Sequence, residues 1–185
     1  MRSDARANRM AIVDAARNLF AARGVDVPLS AVAEAAGIGI ATLYRNFPTR
    51  DDLIRAVVED VAECFQAVER EYLARIEEDP EQGWHDFVHA LAAIRPGTII
   101  PALAEKFGGA GAPDYVEPLR EEVLTTQHAL LARAKQAGLV RDDVSAKNFQ
   151  LGIASITRPL SEQPAADCDT HTAWLIDVYL RGLRP

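Results

Sequence analysis

The segment VAEAAGIGIATLYRNFPTR, residues 32–50, decides the fold of the N-terminal part of this chain. Two short runs with apolar residues three or four positions apart flank a turn that contains Gly37 and Gly39. This pattern predicts helices over about residues 28–36 and 40–47, joined by a three-residue turn in which Gly37 can adopt a positive φ. Two short helices joined in this way form a helix-turn-helix, whose second helix lies in the major groove of DNA.

The second of these helices is predicted to present a small, polar and basic face to solvent. At about 100° per residue, Ile40, Leu43 and Phe47 fall within about 60° of one another and face inward. Ala41, Thr42 and Arg45 fall on the other side, which suits close approach to base edges and a guanidinium contact to guanine or phosphate. Spacing alone is equally typical of a plain helical hairpin, so it does not decide the function.

The charge of the chain is divided between its two ends. The 185 residues carry a net charge of −7, yet residues 1–50 carry seven Arg against four acidic residues, whereas residues 51–185 carry 13 basic and 23 acidic residues. The N-terminal part is therefore basic and the rest of the chain is acidic, which indicates that the N-terminal part faces a polyanion. No stretch without Asp, Glu, Lys or Arg exceeds ten residues, which argues against a membrane span. The absence of a secretion signal predicts a cytoplasmic protein.

The whole chain is predicted to be all-α, with about nine helices. Apolar residues recur at three and four positions throughout, and we find no alternating β pattern. We expect a helix-turn-helix DNA-binding domain over residues 1–48, with its first helix over about 8–23. A helical effector-binding and dimerisation domain follows over residues 49–185, with Thr49 and Ser145 as N-caps of two of its helices.

The residue identities in the N-terminal part also resemble those of a known family. The segments IVDAARNLF (residues 12–20) and VAEAAGIGIATLYRNFPTR (32–50), with Gly24 and Leu53, closely resemble the N-terminal domain of the TetR family of transcriptional repressors. The resemblance covers about residues 8–54 without a gap, and the ending RGLRP (181–185) is similar to a common ending in that family. It implies a homodimer whose two heads read half-sites of a near-palindromic double-stranded DNA operator, with a helical body that binds a small effector.

The resemblance also implies which residues contact DNA. Thr42, Tyr44, Arg50 and Ser30 would contact phosphates, whereas Ala41 and Arg45 would face bases. The full predicted set is Ser30, Gly39, Ile40, Ala41, Thr42, Tyr44, Arg45, Asn46 and Arg50. Many members have Ser where this chain has Gly39 and His where it has Asn46, which leaves the base preference open. The arginines before the first helix, Arg2, Arg6 and Arg9, form either a DNA-contacting arm or a solvated tail.

Two helices near the C-terminus are candidates for a dimer interface. Residues 148–157 carry no charge over nearly three helical turns, so this helix should be covered on every side. We predict that this helix and the last helix pair with their two-fold mates on a partner chain in a four-helix interface. The alternative is a monomer with a central eighth helix. The predicted interface residues are Phe149, Ile153, Ile156, Leu175, Tyr179 and Leu183.

The effector pocket is predicted inside the body, apolar with few polar groups. His128 shares a helical turn with Leu124 and Leu131, where a buried imidazole would need a partner such as a ligand. For each candidate the alternative is plain core packing. The candidate residues are Phe65, Trp84, Phe87, Leu103, Phe107, Leu124, His128 and Phe149.

No catalytic residue, metal or cofactor is predicted. His85 and His89 have the i, i+4 spacing of metal ligands, but the sequence identifies no third ligand, which favours a solvated pair. No nucleophile lies in a recognisable catalytic motif. The sequence thus predicts a ligand-responsive transcriptional repressor, with activation also open. The alternatives are a metal-responsive regulator that uses His85 and His89, or a helical ligand-binding module that no longer reads DNA.

Overall fold

The computed structural model of the protein describes residues 2–107, 112–158 and 165–185, and within these the side chains of residues 5–107, 112–158 and 170–185. All regular secondary structure in these ranges is α-helical, which confirms the predicted fold class. The helices are α1 (Arg2–Arg23), α2 (Leu29–Ala35), α3 (Ile40–Asn46), α4 (Arg50–Glu78), α5 (Pro80–Ala93), α6 (Pro96–Phe107), α7 (Val116–Gln136), α8 (Ala146–Ile156) and α9 (Ala165–Leu183).

The predicted helix starts are correct where a side-chain cap defines them. The Ser145 hydroxyl accepts a hydrogen bond from the Asn148 amide at 3.1 Å. At the start of α4 the Thr49 hydroxyl accepts from the Asp52 amide at 3.1 Å, and the Asp52 carboxylate accepts from the Thr49 amide at 2.9 Å. These bonds satisfy amides that would otherwise lack a partner in the first turn.

The first helix is longer than predicted. It begins at Arg2 rather than near Asn8, so the segment expected to be an arm or a solvated tail is instead the first part of that helix. Residues 2–9 contain no Gly or Pro and include good helix formers, so nothing in them ends the helix. Arg6 and Arg9 therefore project from a helix, and the side chain of Arg2 lies outside the described set.

The chain divides into two compact units. The first contains Met1–Val61 and Ile99–Val116, and the second contains Ala62–Thr98 and Glu117–Pro185. The functional division expected between residues 48 and 49 falls inside the first unit, just before α4. Taken singly, none of the helices in the described ranges has the length and apolar character of a membrane span; only the bent pair Pro80–Ala93 and Pro96–Phe107 meets that test, and by length and composition alone.

Each unit has an apolar core. In the first, α1 packs against α2 and α3, and an ion pair of 2.7 Å joins Arg17 to Asp60 of α4. Its most buried side chains are Ile12, Ala16, Phe20, Val32, Leu43, Phe47, Leu53, Ile54 and Val57. In the second unit α5, α8 and α9 pack together, and the most buried side chains are Phe87, Val88, Leu91, Leu130, Ala134, Phe149 and Ile153.

Candidate nucleic-acid interface and polar core of the second unit

The turn between α2 and α3 has the geometry that the sequence predicts. Gly37 has a φ of +68°, and its amide donates to the Glu34 carbonyl at 3.0 Å. The Ile38 amide donates to the Ala33 carbonyl, also at 3.0 Å. Together these bonds form a Schellman motif, which ends α2 and turns the chain toward α3.

Helix α3 is anchored on one side and exposed on the other. Leu43 and Phe47 are fully buried, as predicted, whereas Tyr44 is 50% exposed. The wheel placed Ile40 inward, but its side chain is 42% exposed. Ile40 is the first residue of α3, and helical side chains lean toward the N-terminus, so its side chain extends past the first turn.

The nine predicted DNA-binding residues all lie in the first unit. Gly39 is the N-cap of α3 and provides no side-chain cap. Those that are part-exposed are Thr42, Asn46 and Arg50, and those that are exposed are Ser30, Gly39, Ile40, Ala41, Tyr44 and Arg45. The structure therefore leaves each of them some surface through which DNA can be contacted.

Two contacts hold the C-terminal end of α3. The guanidinium of Arg9 lies 4.4 Å from the centroid of the Phe47 ring, a cation–π distance. The Asn46 side chain donates to the Thr42 carbonyl at 2.9 Å, so this amide is occupied within the helix itself. Arg9 therefore connects α1 to the end of the helix that carries Tyr44 and Arg45.

Arg50 has a structural contact that the sequence did not indicate. Its Nη1 donates to the carbonyl oxygens of Val25 and Val27 in the α1–α2 loop, both at 2.8 Å. Both bonds use one nitrogen, which leaves Nη2 to meet a phosphate, and that role stays a prediction. The loop is thereby fixed to the start of α4, next to the helix-turn-helix.

Three of the predicted pocket residues form one aromatic cluster in the second unit. The ring centroids of Trp84 and Phe149 are 5.3 Å apart, and those of Trp84 and Phe87 are 5.6 Å apart. All three side chains are buried, as is Phe65. Leu103 and Phe107 are half-buried and belong to the first unit.

The prediction that His128 is buried is wrong. His128 is exposed, and its neighbour Gln127 is 2% exposed instead. The buried face of α7 is centred near Gln127 and Ala134, so His128 lies about 100° around the helix from this centre. Leu124, nearer to that face, is half-buried.

A carboxyl group that the sequence analysis missed lies in the core of the second unit. Glu69 of α4 is fully buried, and neither of its carboxyl oxygens has a well-formed hydrogen bond among the residues described. Burial raises the pKa of Glu69 to about 8, although the Gln127 side chain and the Arg70 charge act in the opposite direction. Its spacing of four residues from Phe65 was the available signal, because it placed Glu69 on the apolar face of α4.

Other buried polar groups lie in the same unit. The Gln150 side chain of α8 donates to the side-chain oxygen of Gln127 in a short hydrogen bond. The indole Nε1 of Trp84 is buried and, among the described residues, has no hydrogen-bond acceptor. An unpaired buried donor costs about 1–3 kcal/mol, so this core has polar groups that a ligand can satisfy.

The predicted dimer residues fall into two groups. Phe149, Ile153 and Leu183 are at most 5% exposed because they belong to the second unit's own core. They leave little surface for a partner, and their role in an interface stays a prediction. Ile156, Leu175 and Tyr179 are half-buried. Among the side chains described, the large apolar ones that α8 and α9 expose are Leu151, Trp174 and Val178, at 54%, 54% and 42%.

Both parts of the chain match known regulator families. Residues 12–57 match the family described as bacterial regulatory proteins of the tetR family. Residues 79–185 match the C-terminal domain of SbtR-like transcriptional regulators.

Individual relatives and solved structures agree with these matches. A TetR transcription regulatory protein from Mycobacterium vanbaalenii is 30% identical, with a TM-score of 0.68 over 100% of this chain and 99% of that one. A TetR transcriptional regulator from Streptomyces coelicolor is 28% identical, with a TM-score of 0.68 over 96% of this chain and 98% of that one. An HTH-type transcriptional regulator of Staphylococcus aureus strain USA300 is 38% identical over 66 residues, which span 35% of this chain and 36% of that relative.

Proposed function

The chain belongs to the TetR family of transcriptional regulators, and on this premise we propose that it is a repressor released from a near-palindromic operator by a small, largely apolar effector. The observation that carries the DNA-binding part is the exposure of Tyr44 and Arg45 on a helix anchored by Leu43 and Phe47. An exposed helix of this kind can enter the major groove, whereas a core helix cannot.

The roles of the individual side chains follow from their chemistry. Tyr44 and Thr42 hydroxyls donate to phosphates, as do Ser30 and the Nη2 of Arg50. Arg45 and the small Ala41 face base edges, where a guanidinium recognises guanine. The charge of +3 on residues 1–50 supports this assignment, because counterion release from phosphates supplies much of the affinity for DNA.

We assign the homodimer contact to an apolar face on α8 and α9. This face comprises Leu151, Trp174 and Val178, which are large apolar side chains with more than two fifths of their surface exposed. Two such faces related by a two-fold axis cover each other and place two α3 helices on one operator. The half-sites are then about one helical turn, ~34–36 Å, apart.

The effector site is assigned to the polar core around Glu69, Gln127 and Trp84. Because its pKa is about 8, Glu69 is mostly a neutral carboxylic acid at pH 7 and can donate a hydrogen bond. The Trp84 indole is a second unpaired donor beside aromatic rings. An apolar molecule that carries an oxygen acceptor, such as a carbonyl group, complements either donor. The effector releases the protein from DNA if it binds more tightly to a conformation of the dimer in which the spacing of the two α3 helices no longer matches the half-sites.

Selection from a pool of random-sequence DNA duplexes tests the DNA-binding assignment. The full-length protein is expected to enrich an inverted repeat, and the variant Tyr44→Ala/Arg45→Ala is expected to enrich none. Failure of the wild-type protein to enrich any sequence would contradict the proposal and would favour a ligand-binding module that no longer reads DNA.

A thermal-shift screen tests the effector assignment. Small apolar molecules with and without a carbonyl group are compared, since a ligand that binds the folded state raises the melting midpoint. Carbonyl compounds are expected to give the larger shifts, and these shifts should fall in Trp84→Phe, which removes the indole donor. Hits that bind Trp84→Phe and wild type equally, or that leave the selected duplex bound, would contradict the assignment.

A further inference from the structure

A second cluster of polar side chains lies between α5 and α9, outside the proposed effector site. His85 and His89 are one turn apart on α5, with their ring centroids 4.5 Å from each other. Both rings face Asp177 of α9. The His89 Nε2 lies 3.0 Å from the Asp177 Oδ1, and the His85 Nε2 lies 3.6 Å from the same oxygen.

These separations match those between the ligand atoms of a small tetrahedral metal ion. Zinc binds imidazole nitrogen and carboxylate oxygen at about 2.0–2.2 Å, so two of its tetrahedral ligands lie about 3.3 Å apart. The two nitrogen-to-oxygen distances bracket this value, and the three potential ligand atoms all lie within 4.8 Å of one another. The three atoms are therefore spaced closely enough to share one ion.

A neighbouring carboxylate orients one of the histidines. The His85 Nδ1 lies 3.1 Å from the Asp86 Oδ1, which also accepts a hydrogen bond from the Gln82 side chain at 2.7 Å. With its Nδ1 hydrogen donated to Asp86, the neutral imidazole of His85 directs the lone pair of Nε2 toward Asp177. In this tautomer the Nε2 lone pair and the Asp177 carboxylate oxygen, 3.6 Å apart, cannot hydrogen-bond to each other, whereas both can bind a cation that displaces the 3.0 Å hydrogen bond between His89 and Asp177.

We propose that His85, His89 and Asp177 bind one divalent transition-metal ion of the zinc type, with water at the fourth position. Two imidazoles and one carboxylate favour zinc, cobalt or nickel over magnesium or calcium, which prefer oxygen ligands. All three side chains are partly exposed, so an ion can enter from solvent. The third ligand was not apparent from the sequence because Asp177 comes 88 residues after His89, and only the packing of α9 on α5 brings them together.

The site goes beyond the proposed function because none of its three potential ligands belongs to the effector site, although Trp84 of that site also lies on α5. Asp177 lies between Trp174 and Val178 on α9, the helix that carries most of the proposed dimer face. A bound ion therefore fixes α9 to α5 next to that face. This arrangement predicts that metal changes the strength of dimerisation.

Cobalt titration of the full-length protein, free of any affinity tag, tests the site. Visible absorption bands of four-coordinate cobalt should appear and saturate at one ion per chain, and zinc but not magnesium should abolish them. His89→Ala and the nearly isosteric Asp177→Asn should each weaken binding at least tenfold. Asp86→Asn, which alters only a positioning residue, should weaken it about 10- to 100-fold.

Two other histidines of the chain provide matched controls. His128 and His171 are exposed and lie outside the cluster, so His128→Ala and His171→Ala should leave the cobalt spectrum and stoichiometry unchanged. Circular dichroism and thermal melting confirm that every variant is folded. The proposal is overturned if the wild-type protein gives no four-coordinate spectrum, or if binding survives in both His89→Ala and Asp177→Asn.

Discussion

Arg50 at the start of α4 donates a hydrogen bond to the carbonyl oxygen of Val25, 2.8 Å away in the loop between α1 and α2. The same nitrogen binds the carbonyl of Val27. The helix-turn-helix is therefore held by a side chain that follows it in the sequence, in addition to the apolar contacts among α1, α2 and α3.

Replacement of this arginine should destabilise the protein. In Arg50→Ala two part-buried carbonyl groups lose a charged donor, and we expect the free energy of unfolding to fall by about 1.5–3 kcal/mol. Urea unfolding measures the change. Arg120→Ala is the control, because Arg120 pairs with Glu117 on an exposed surface and should cost under about 1 kcal/mol. Equal losses in the two variants would show that Arg50 does not hold the loop.

Gly97 of α6 should tolerate no side chain. Its amide donates to the Thr157 hydroxyl at 2.8 Å, and a Cβ at this position would overlap the Ala154 carbonyl and lie 2.7 Å from the Arg158 amide nitrogen. Gly97→Ala should lower the unfolding free energy by at least about 1–3 kcal/mol. The control is Gly182→Ala, where a Cβ meets nothing within 4 Å and the helix should gain about 0.5–1 kcal/mol. A Gly97→Ala protein as stable as wild type would disprove this close packing.

The buried carboxyl group of Glu69 should make the protein less stable as the pH rises. Its pKa is about 8 in the folded chain and 4.5 in the unfolded chain, so only the folded chain keeps this proton between those values. The contribution is complete below pH 4.5 and is lost toward pH 8, by up to about 1.4 kcal/mol per pH unit.

Glu69→Gln should remove this contribution. Urea unfolding at several pH values between about 5 and 8 gives the slope, and the variant should lose less stability than wild type. Glu63→Gln, an exposed position on the same helix, should keep the wild-type slope. Parallel pH profiles for Glu69→Gln and wild type would contradict the raised pKa.

The apolar face on α8 and α9 should control oligomerisation. Leu151→Glu/Trp174→Glu places two carboxylates on the proposed contact, and sedimentation velocity should show a monomer where the wild-type protein is a dimer. Ile100→Glu alters a similarly exposed apolar residue of the first unit and should remain dimeric. A dimer that persists in the double variant would mean that the contact lies elsewhere.

Local patterns predicted the helices and the buried side of α3 well. Gly37 in its positive-φ turn, the Ser145 cap and the burial of Leu43 and Phe47 each depend on residues within a few positions, which a sequence displays directly. The start of α1 was missed because the helix continues where no residue marks an end.

The sites in the second unit were predicted less completely because they depend on packing between distant helices. Periodicity placed His128 on the inner face of α7, whereas packing against the neighbouring helices buries Gln127 instead. Asp177 could not be paired with His89 before the contact of α5 with α9 was known. An uncharged α8 indicated two covered faces, but not that Phe149 belongs to its own core and Leu151 to the exposed side.

The central claim is that α3 binds DNA, and the salt dependence of binding to the selected duplex, followed by fluorescence anisotropy, tests it most directly. The logarithm of the affinity should fall linearly with that of the salt concentration, by about 0.9 per phosphate contacted. Tyr44→Ala/Arg45→Ala should bind at least tenfold more weakly, whereas Arg141→Ala, which removes one exposed charge from the second unit, should bind like wild type. Equal affinities for wild type and Tyr44→Ala/Arg45→Ala, or an affinity that salt does not change, would contradict the claim.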